Sequence, residues 1–328
     1  MSNRLHPRSF WLVAAASLLA ACSDGGGSDT GQISVAVTDT PVDVADAVVV
    51  LFTGVELKPQ GGAAFSIDFA TPKTIDLLAY QNGERAVLLD EEEVPAGEYN
   101  WMRLKVQADP NVAGDSYITI DGADCELEIP SGDERGLQMI RGFTVGVGSL
   151  TDMTVDFDLR KSVLQPPGQT TEVPVCDGQA YVLKPVVRLV DNLEVGTISG
   201  SVDANLIIAQ CGDAVANGVY PGNVYLFGPV TETNLGTPDD YDIVESDPNG
   251  ADALASAMVD PDTFDYTIAF VPAGDYRVAY TCDEDAPLVD ADAADDPVGD
   301  DEVVEFTPAD GAAVTVTAGG TATADFAP

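Results

Sequence analysis

This sequence predicts an all-β fold: two β-sandwich domains in tandem after a lipidated flexible tether. Three observations carry the prediction. Apolar and polar residues alternate with period two, as in Ile33, Val35 and Val37 against Ser34, Ala36 and Thr38. No run in the first half has a convincing helical period, and turn chemistry separates the runs. At Asp39-Thr40-Pro41, for example, an Asp side chain can cap the backbone and Pro cannot extend a ladder. The hexapeptide Val94-Pro95-Ala96-Gly97-Glu98-Tyr99 returns as Val271-Pro272-Ala273-Gly274-Asp275-Tyr276, which suggests two related sandwiches. In each copy the Pro-Ala-Gly corner sets a turn. The Tyr then opens a strand with its ring on the core and its hydroxyl near the backbone.

The chain begins with Arg4 and Arg8, an apolar run from Phe10 to Ala21, and Leu19-Ala20-Ala21-Cys22. The run is too short to span a bilayer as a helix, which needs roughly 20 residues. Residues 1–21 therefore read as a signal peptide and residues 22–31, rich in Gly, Ser and Asp, as a tether. Leu19-Ala20-Ala21-Cys22 resembles the lipobox of bacterial lipoproteins at every position. The resemblance implies diacylglycerol on the Cys22 sulfur, cleavage before Cys22 and acylation of the new amino group. Two or three acyl chains are needed for a stable anchor, because each buried CH₂ contributes only ~0.8 kcal/mol. Ser23 stands where an Asp tends to mean inner-membrane retention, so the expected location is the outer membrane of the cell envelope.

Composition narrows the chemistry. The 328 residues hold 14 Lys+Arg, 55 Asp+Glu and one His. Without residues 1–21 the mature chain has 12 bases against 55 acids, a formal charge of −43, and loses His6. A chain without histidine cannot build a Ser-His-Asp or Cys-His site, or a His-ligated zinc site. Carboxylate mechanisms survive, but acidic pairs are everywhere and none stands out. So acidic a chain is no partner for nucleic acid, whose phosphates need Lys and Arg. Its charge suits a salty medium, where ions screen self-repulsion.

Besides Cys22, the mature chain carries Cys125, Cys176, Cys211 and Cys282. An even count in an exported protein reads as two disulfides with three possible connectivities. Pairing within each domain gives Cys125–Cys176 and Cys211–Cys282.

The first domain spans 32–191. Its strands are expected at 33–38, 47–57, 102–106, 117–120, 125–129, 143–147, 153–159 and 181–190, with a tight turn at Asn82-Gly83 and a short helical turn within 74–80. Three stretches carry a family resemblance. They are Ser34 to Pro41 with the Val-rich strand ending Phe52-Thr53-Gly54-Val55-Glu56-Leu57, then Phe157-Asp158-Leu159-Arg160-Lys161-Ser162-Val163, and last Tyr181 to Leu189. They resemble the domain of unknown function 4382 family, found mostly in bacterial lipoproteins and without an activity to carry over. Thr40 departs from the family's usual Ala before the Pro.

The second domain spans 193–328, with strands expected at 196–202, 223–227, 266–270, 276–280, 302–306 and 313–316. Gly196 to Val202 followed by Val224-Tyr225-Leu226 is similar to carboxypeptidase-regulatory-like, transthyretin-like sandwiches. This half holds 27 Asp+Glu and a single base, Arg277. Asp247, Asn249 and Asp252 invite a calcium reading, because hard cations want several close carboxylates. Their spacing is not that of an EF-hand loop, and a solvated acidic face is the favoured reading. No other cofactor is implied.

Trp101 is the only tryptophan of the mature chain. Strict alternation puts Met102, Leu104 and Val106 on one face and Trp101, Arg103 and Lys105 on the other. An aromatic beside two bases is one way to hold a sugar or an anion. The alternative is that Trp101 packs under a loop while Arg103 and Lys105 pair with cross-strand acids. The sequence thus predicts a lipid-anchored, non-enzymatic binding or scaffold module with a glycan or an envelope protein as partner. Glycan binding is the alternative function, and a carboxylate-dependent hydrolase the remote one.

Overall fold

The computed structural model describes residues 29–40, 45–108, 115–120, 122–130, 136–159, 161–164, 181–212, 221–230, 237–238, 250–251, 253–283 and 304–328. Strand alternation is what builds them. In β10, Met153, Val155 and Phe157 point inward and are at most 1% exposed. The first sandwich contains β1 (Thr30–Thr40), β2 (Ala47–Pro59), β3 (Phe65–Asp76), β4 (Ala86–Pro95), β5 (Gly97–Gln107), β6 (Tyr117–Ile120) and β7 (Ala123–Glu128). It continues with β8 (Leu137–Met139), β9 (Phe143–Val145), β10 (Leu150–Asp158), β11 (Val163–Leu164), β12 (Tyr181–Leu183) and β13 (Val187–Asp191). One sheet has the order β13-β10-β1-β4. The other runs β11-β12-β7-β6-β2-β5-β8, with β3 on β2 and β9 on β5. Phe52, Leu57, Met102, Leu104 and Phe157 fill the space between them.

The second sandwich contains β14 (Val195–Ser201), β15 (Asn223–Phe227), the short pair β16 (Thr237–Pro238) and β17 (Gly250–Ala251), and β18 (Ala253–Met258). It ends with β19 (Asp265–Pro272), β20 (Gly274–Thr281), β21 (Thr307–Val316) and β22 (Thr321–Thr323). Its sheets are β19-β14-β22 and β18-β15-β20-β21. Among the described residues no strand of one sandwich pairs with a strand of the other.

The two sandwiches share one framework. In chain order, β1, β2, β3, β4, β5, β9 and β10 of the first match β14, β15, β18, β19, β20, β21 and β22 of the second. Three of these form one sheet, β10-β1-β4 or β22-β14-β19, and four the other, β9-β5-β2-β3 or β21-β20-β15-β18. The registers agree around the repeated corner. Thr30 faces Pro95 and Val195 faces Pro272; Gly97 faces Val145 and Gly274 faces Val316.

The repeated hexapeptide makes the corner between the two sheets in both copies. The Tyr99 hydroxyl donates to the Pro95 carbonyl at 2.7 Å, and Tyr276 to Pro272 at 2.8 Å. This satisfies a buried hydroxyl within the corner itself. The Ala96 amide donates to Asp29 and the Ala273 amide to Glu194, each acceptor lying just before the first strand of its sandwich. A turn beside each corner repeats too. Gly148 N–H bonds Thr30 and Gly319 N–H bonds Val195, while Gln32 N–H bonds Ser149 and Thr197 N–H bonds Gly320. Gly31 and Gly196 lie against these turns. A Cβ at Gly31 would strike the Gly146 carbonyl, and one at Gly196 the carbonyls of Thr317 and Gly320.

Several sequence expectations are corrected. β1 begins at Thr30, inside the predicted tether, because the corner and the turn both bond its first residues. The helical turn expected within 74–80 is the end of β3 followed by a 3-10 turn, Leu77–Ala79, started by Asp76 accepting from Leu78 N–H. The single strand 181–190 is two strands in different sheets. Pro185 cannot donate to a ladder, and the chain crosses between sheets there. Val304 to Phe306 of the expected strand 302–306 is not strand, and β21 starts at Thr307. The helix Ala204–Cys211 was not expected. Asp203 caps it by accepting from Asn205 N–H, and Leu206 and Ile207 are its buried side.

Candidate functional site

The face predicted around Trp101 forms as the alternation requires. Met102, Leu104 and Val106 are at most 3% exposed and belong to the core, and Trp101, Arg103 and Lys105 lie half-buried on the outer face of the larger sheet. Arg103 sits directly across from Glu56 and bonds its carboxylate at 2.6 Å. Its other Nη reaches Gln138 at 3.2 Å, and the guanidinium lies 4.8 Å from the Trp101 ring centroid. Lys105 reaches past Gly54, which faces it on β2, to Asp68 on β3 at 2.5 Å. Only a residue without a side chain leaves that path open. A Cβ at Gly54 would lie 2.6 Å from the Ile67 carbonyl. The bases therefore pair with cross-strand acids, while no loop buries Trp101 completely. The face is a paired polar ladder around one partly open indole, with the buried Arg103 Nε left without a hydrogen-bond partner.

A second constellation was not singled out by the sequence reading. Along β10, Asp152, Thr154, Asp156 and Asp158 alternate with the core residues and so point away from the first sandwich's core. Thr154 is fully buried, with its hydroxyl 2.9 Å from Asn192 Oδ1, and Asp156 is 4% exposed where this face meets the second sandwich. Arg188 lies across from Asp156 and pairs with it. Arg85 holds Asp152 through both Nη atoms, each at 2.9 Å. Lys161 lies 3.6 Å from Asp158 and donates to the Ala253 carbonyl of the second sandwich. Burial pushes the Asp156 carboxyl up, and the Arg188 charge only partly offsets this. At Asp152 burial also pushes upward, but hydrogen bonds from Arg85 and Asn192 and the Arg85 charge outweigh it and leave the carboxyl below its usual range.

The seam between the sandwiches leaves about 20 Å³ between Thr38, Asp156 and Arg188 on one side and Ala255 to Ala257 and Thr267 to Phe270 on the other. That is room for about one water molecule. The arrangement can couple two domains and cannot admit a sugar or a peptide. Its sequence signal was the row of polar residues every second position in Asp152 to Asp158, a face too polar for a sandwich interior and too regular for a loop.

The remaining predicted residues divide. Cys211 and Cys282 form a disulfide with Cα atoms 5.3 Å apart, tying the helix end to the end of β20. Cys125 is buried in β7 and disulfide-bonded. Cys176, its expected partner, lies outside the described residues, as do Cys22 and the weak calcium candidates Asp247, Asn249 and Asp252. Among the described residues no group of three or more acidic, Cys or His side chains could hold a metal ion, and no helix is long and apolar enough to cross a membrane.

No curated protein matches the chain. Three solved structures are distantly similar. The Bacillus anthracis TIE protein is 7% identical with a TM-score of 0.20, over 90% of this chain and 33% of its own, so the chain spans about a third of that protein. GBS52, the minor pilin of Streptococcus agalactiae, is 10% identical with a TM-score of 0.18, over 89% and 94% of the two chains. BcpA, the major pilin subunit of Bacillus cereus, is 10% identical with a TM-score of 0.16, over 90% and 99%. Similarity this slight carries no argument about architecture or activity. Residues 30–185 match the family described as Domain of unknown function (DUF4382), which takes in β1 to β12 and the stretches that converge on the seam. Through those residues the first sandwich belongs to the DUF4382 family.

Proposed function

We propose that this chain is a lipid-anchored protein of the bacterial cell envelope, held at the outer membrane through Cys22, and that it acts as a non-enzymatic binding or scaffold module. The observation that carries the reading is how its ionisable groups are used. Asp152, Asp156 and Asp158 each have a basic partner, and the Asp156 and Asp158 pairs lie at the junction of two sandwiches. Carboxylates locked in this way serve architecture better than proton transfer, so hydrolysis by paired acids is the reading they support least. The lipobox and tether supply the anchor. The test is labelled palmitate in cells. The wild-type chain should take it up and fractionate with the envelope, and Cys22→Ala should do neither. Label in the Cys22→Ala chain would contradict the anchor.

Glycan binding is the second reading, favoured by the partly open Trp101 ring with Arg103 beside it. A glycan array separates the two readings. Binding lost in Trp101→Ala would support the second, and no binding in either protein would leave the scaffold reading.

A further inference from the structure

Three large apolar side chains stand open at one end of the first sandwich: Ile140 is 83% exposed, Leu193 77% and Val147 65%. They come from separate stretches, and the hydrogen bonds bring them together. Arg141, next to Ile140, donates to the Leu189 carbonyl at 2.5 Å and to Glu194 at 3.1 Å, which sets Ile140 near Leu193. Asn192 N–H bonds the Asp152 carbonyl at 3.0 Å and so holds Leu193 beside the start of β10. The turn that carries Val147 closes on Thr30 through Gly148 N–H at 2.8 Å. One further step of the β5–β8 register puts Ile140 opposite Trp101, on the outer face.

This end is also where β1 begins and where the chain leaves toward Cys22. The eight residues from Cys22 to Thr30 reach at most ~28 Å. A lipid surface that holds Cys22 is therefore always within range of the patch.

We propose that Trp101, Ile140, Val147 and Leu193 form a docking face for the lipid surface to which Cys22 anchors the chain. The proposal rests on the anchored reading above. A handful of apolar side chains gives only a weak contact to a free protein. On a short leash the contact is intramolecular, with an effective concentration in the millimolar range, and a weak contact suffices. The residue types fit a bilayer interface, with aliphatic side chains to enter it, an indole to sit at headgroup level, and Arg103 and Arg141 beside them. Docking by this face fixes which way the first sandwich points and leaves its other sides free for a partner.

Trp101 is the probe, as the sole tryptophan of residues 22–328. The mature chain is coupled through the Cys22 thiol to maleimide-bearing phosphatidylcholine vesicles, with or without brominated acyl chains. Brominated lipid should quench Trp101 emission about twofold. Ile140→Ser with Leu193→Ser should abolish most of that quenching at unchanged circular dichroism. Equal emission with and without bromine would overturn the proposal. So would a shift of Trp101 emission with protein concentration in the uncoupled chain, because the face would then join two copies. Palmitate labelling in cells reports separately on the anchor. Its failure would remove that reading and leave the quenching result to decide whether the face meets lipid.

Discussion

The two sandwiches have the same seven strands, the same corner and the same turn, yet they are held together differently. The first contains or borders every salt bridge among the described residues, six in all. The second has one base, Arg277, and its guanidinium bonds the Asp310 carbonyl and not a carboxylate. In the first corner Tyr99 faces Phe143, and the rings stack at 4.9 Å; in the second Tyr276 faces Val314 and has no such stack. Each sandwich has a disulfide-bonded cysteine, Cys125 in the first and the Cys211–Cys282 pair in the second, which closes a separation of 71 residues. A shared backbone framework therefore tolerates opposite electrostatic solutions, provided the corner and the close-packed glycines are kept.

The largest effect expected from breaking this comparison is loss of the disulfide. Cys211→Ser with Cys282→Ser should destabilise the second sandwich by about 2–4 kcal/mol. The first sandwich, followed by Trp101 fluorescence during denaturant unfolding, should change little. Next come the glycines. Gly31→Ala and Gly196→Ala each push a Cβ into a backbone carbonyl and should each cost about 1–3 kcal/mol in chemical denaturation. A large cost in only one sandwich would mean that the turns are not equivalent. Salt should then separate the halves. At ~1 M the Debye length falls to ~3 Å, which screens 27 acids facing one base in residues 193–328. Calorimetry in ~0.05 and ~1 M sodium chloride should show the second sandwich melting a few degrees higher in salt, and the first shifting less. Equal shifts would contradict the account.

A smaller effect tests the corners. Tyr99→Phe and Tyr276→Phe remove the same hydrogen bond and should each cost about 1 kcal/mol, measured as paired shifts in denaturant midpoint. Acid should separate the two carboxylates of the seam. The Asp152 carboxyl is lowered in the fold, so its contribution is present above the usual aspartate pKa and is lost as pH falls through the lower folded value. The Asp156 carboxyl is raised, so its charged form opposes folding above the folded value, and stability recovers as pH falls through that value toward the usual aspartate range. Asp152→Asn should therefore flatten the loss of stability in acid, and Asp156→Asn should not.

Much of this was legible in the sequence because strand alternation is local. The inward faces of β1, β5 and β10 can be read one residue at a time, and the repeated hexapeptide marks both corners. A second repeat was legible but short. Gly31-Gln32-Ile33-Ser34 and Gly196-Thr197-Ile198-Ser199 occupy equivalent places, and four residues alone do not distinguish kinship from chance. The seam was not legible. Whether Asp156 faces water or another domain depends on contacts with β18 and β19, about a hundred residues away. Neither alternation nor charge counts reach that far. Trp101 shows the same limit. Its face followed from the alternation, but the route of Lys105 past Gly54 to Asp68 needed the registers of three strands.

The equivalence of the two frameworks is tested most directly by amide hydrogen exchange on the mature chain. The amides of Ala96 and Ala273, Gln32 and Thr197, and Gly148 and Gly319 donate to matched carbonyls in the two sandwiches. Each pair should be protected, both members exchanging orders of magnitude more slowly than free amides. Protection of the first member of each pair beside free exchange of the second would contradict a common framework.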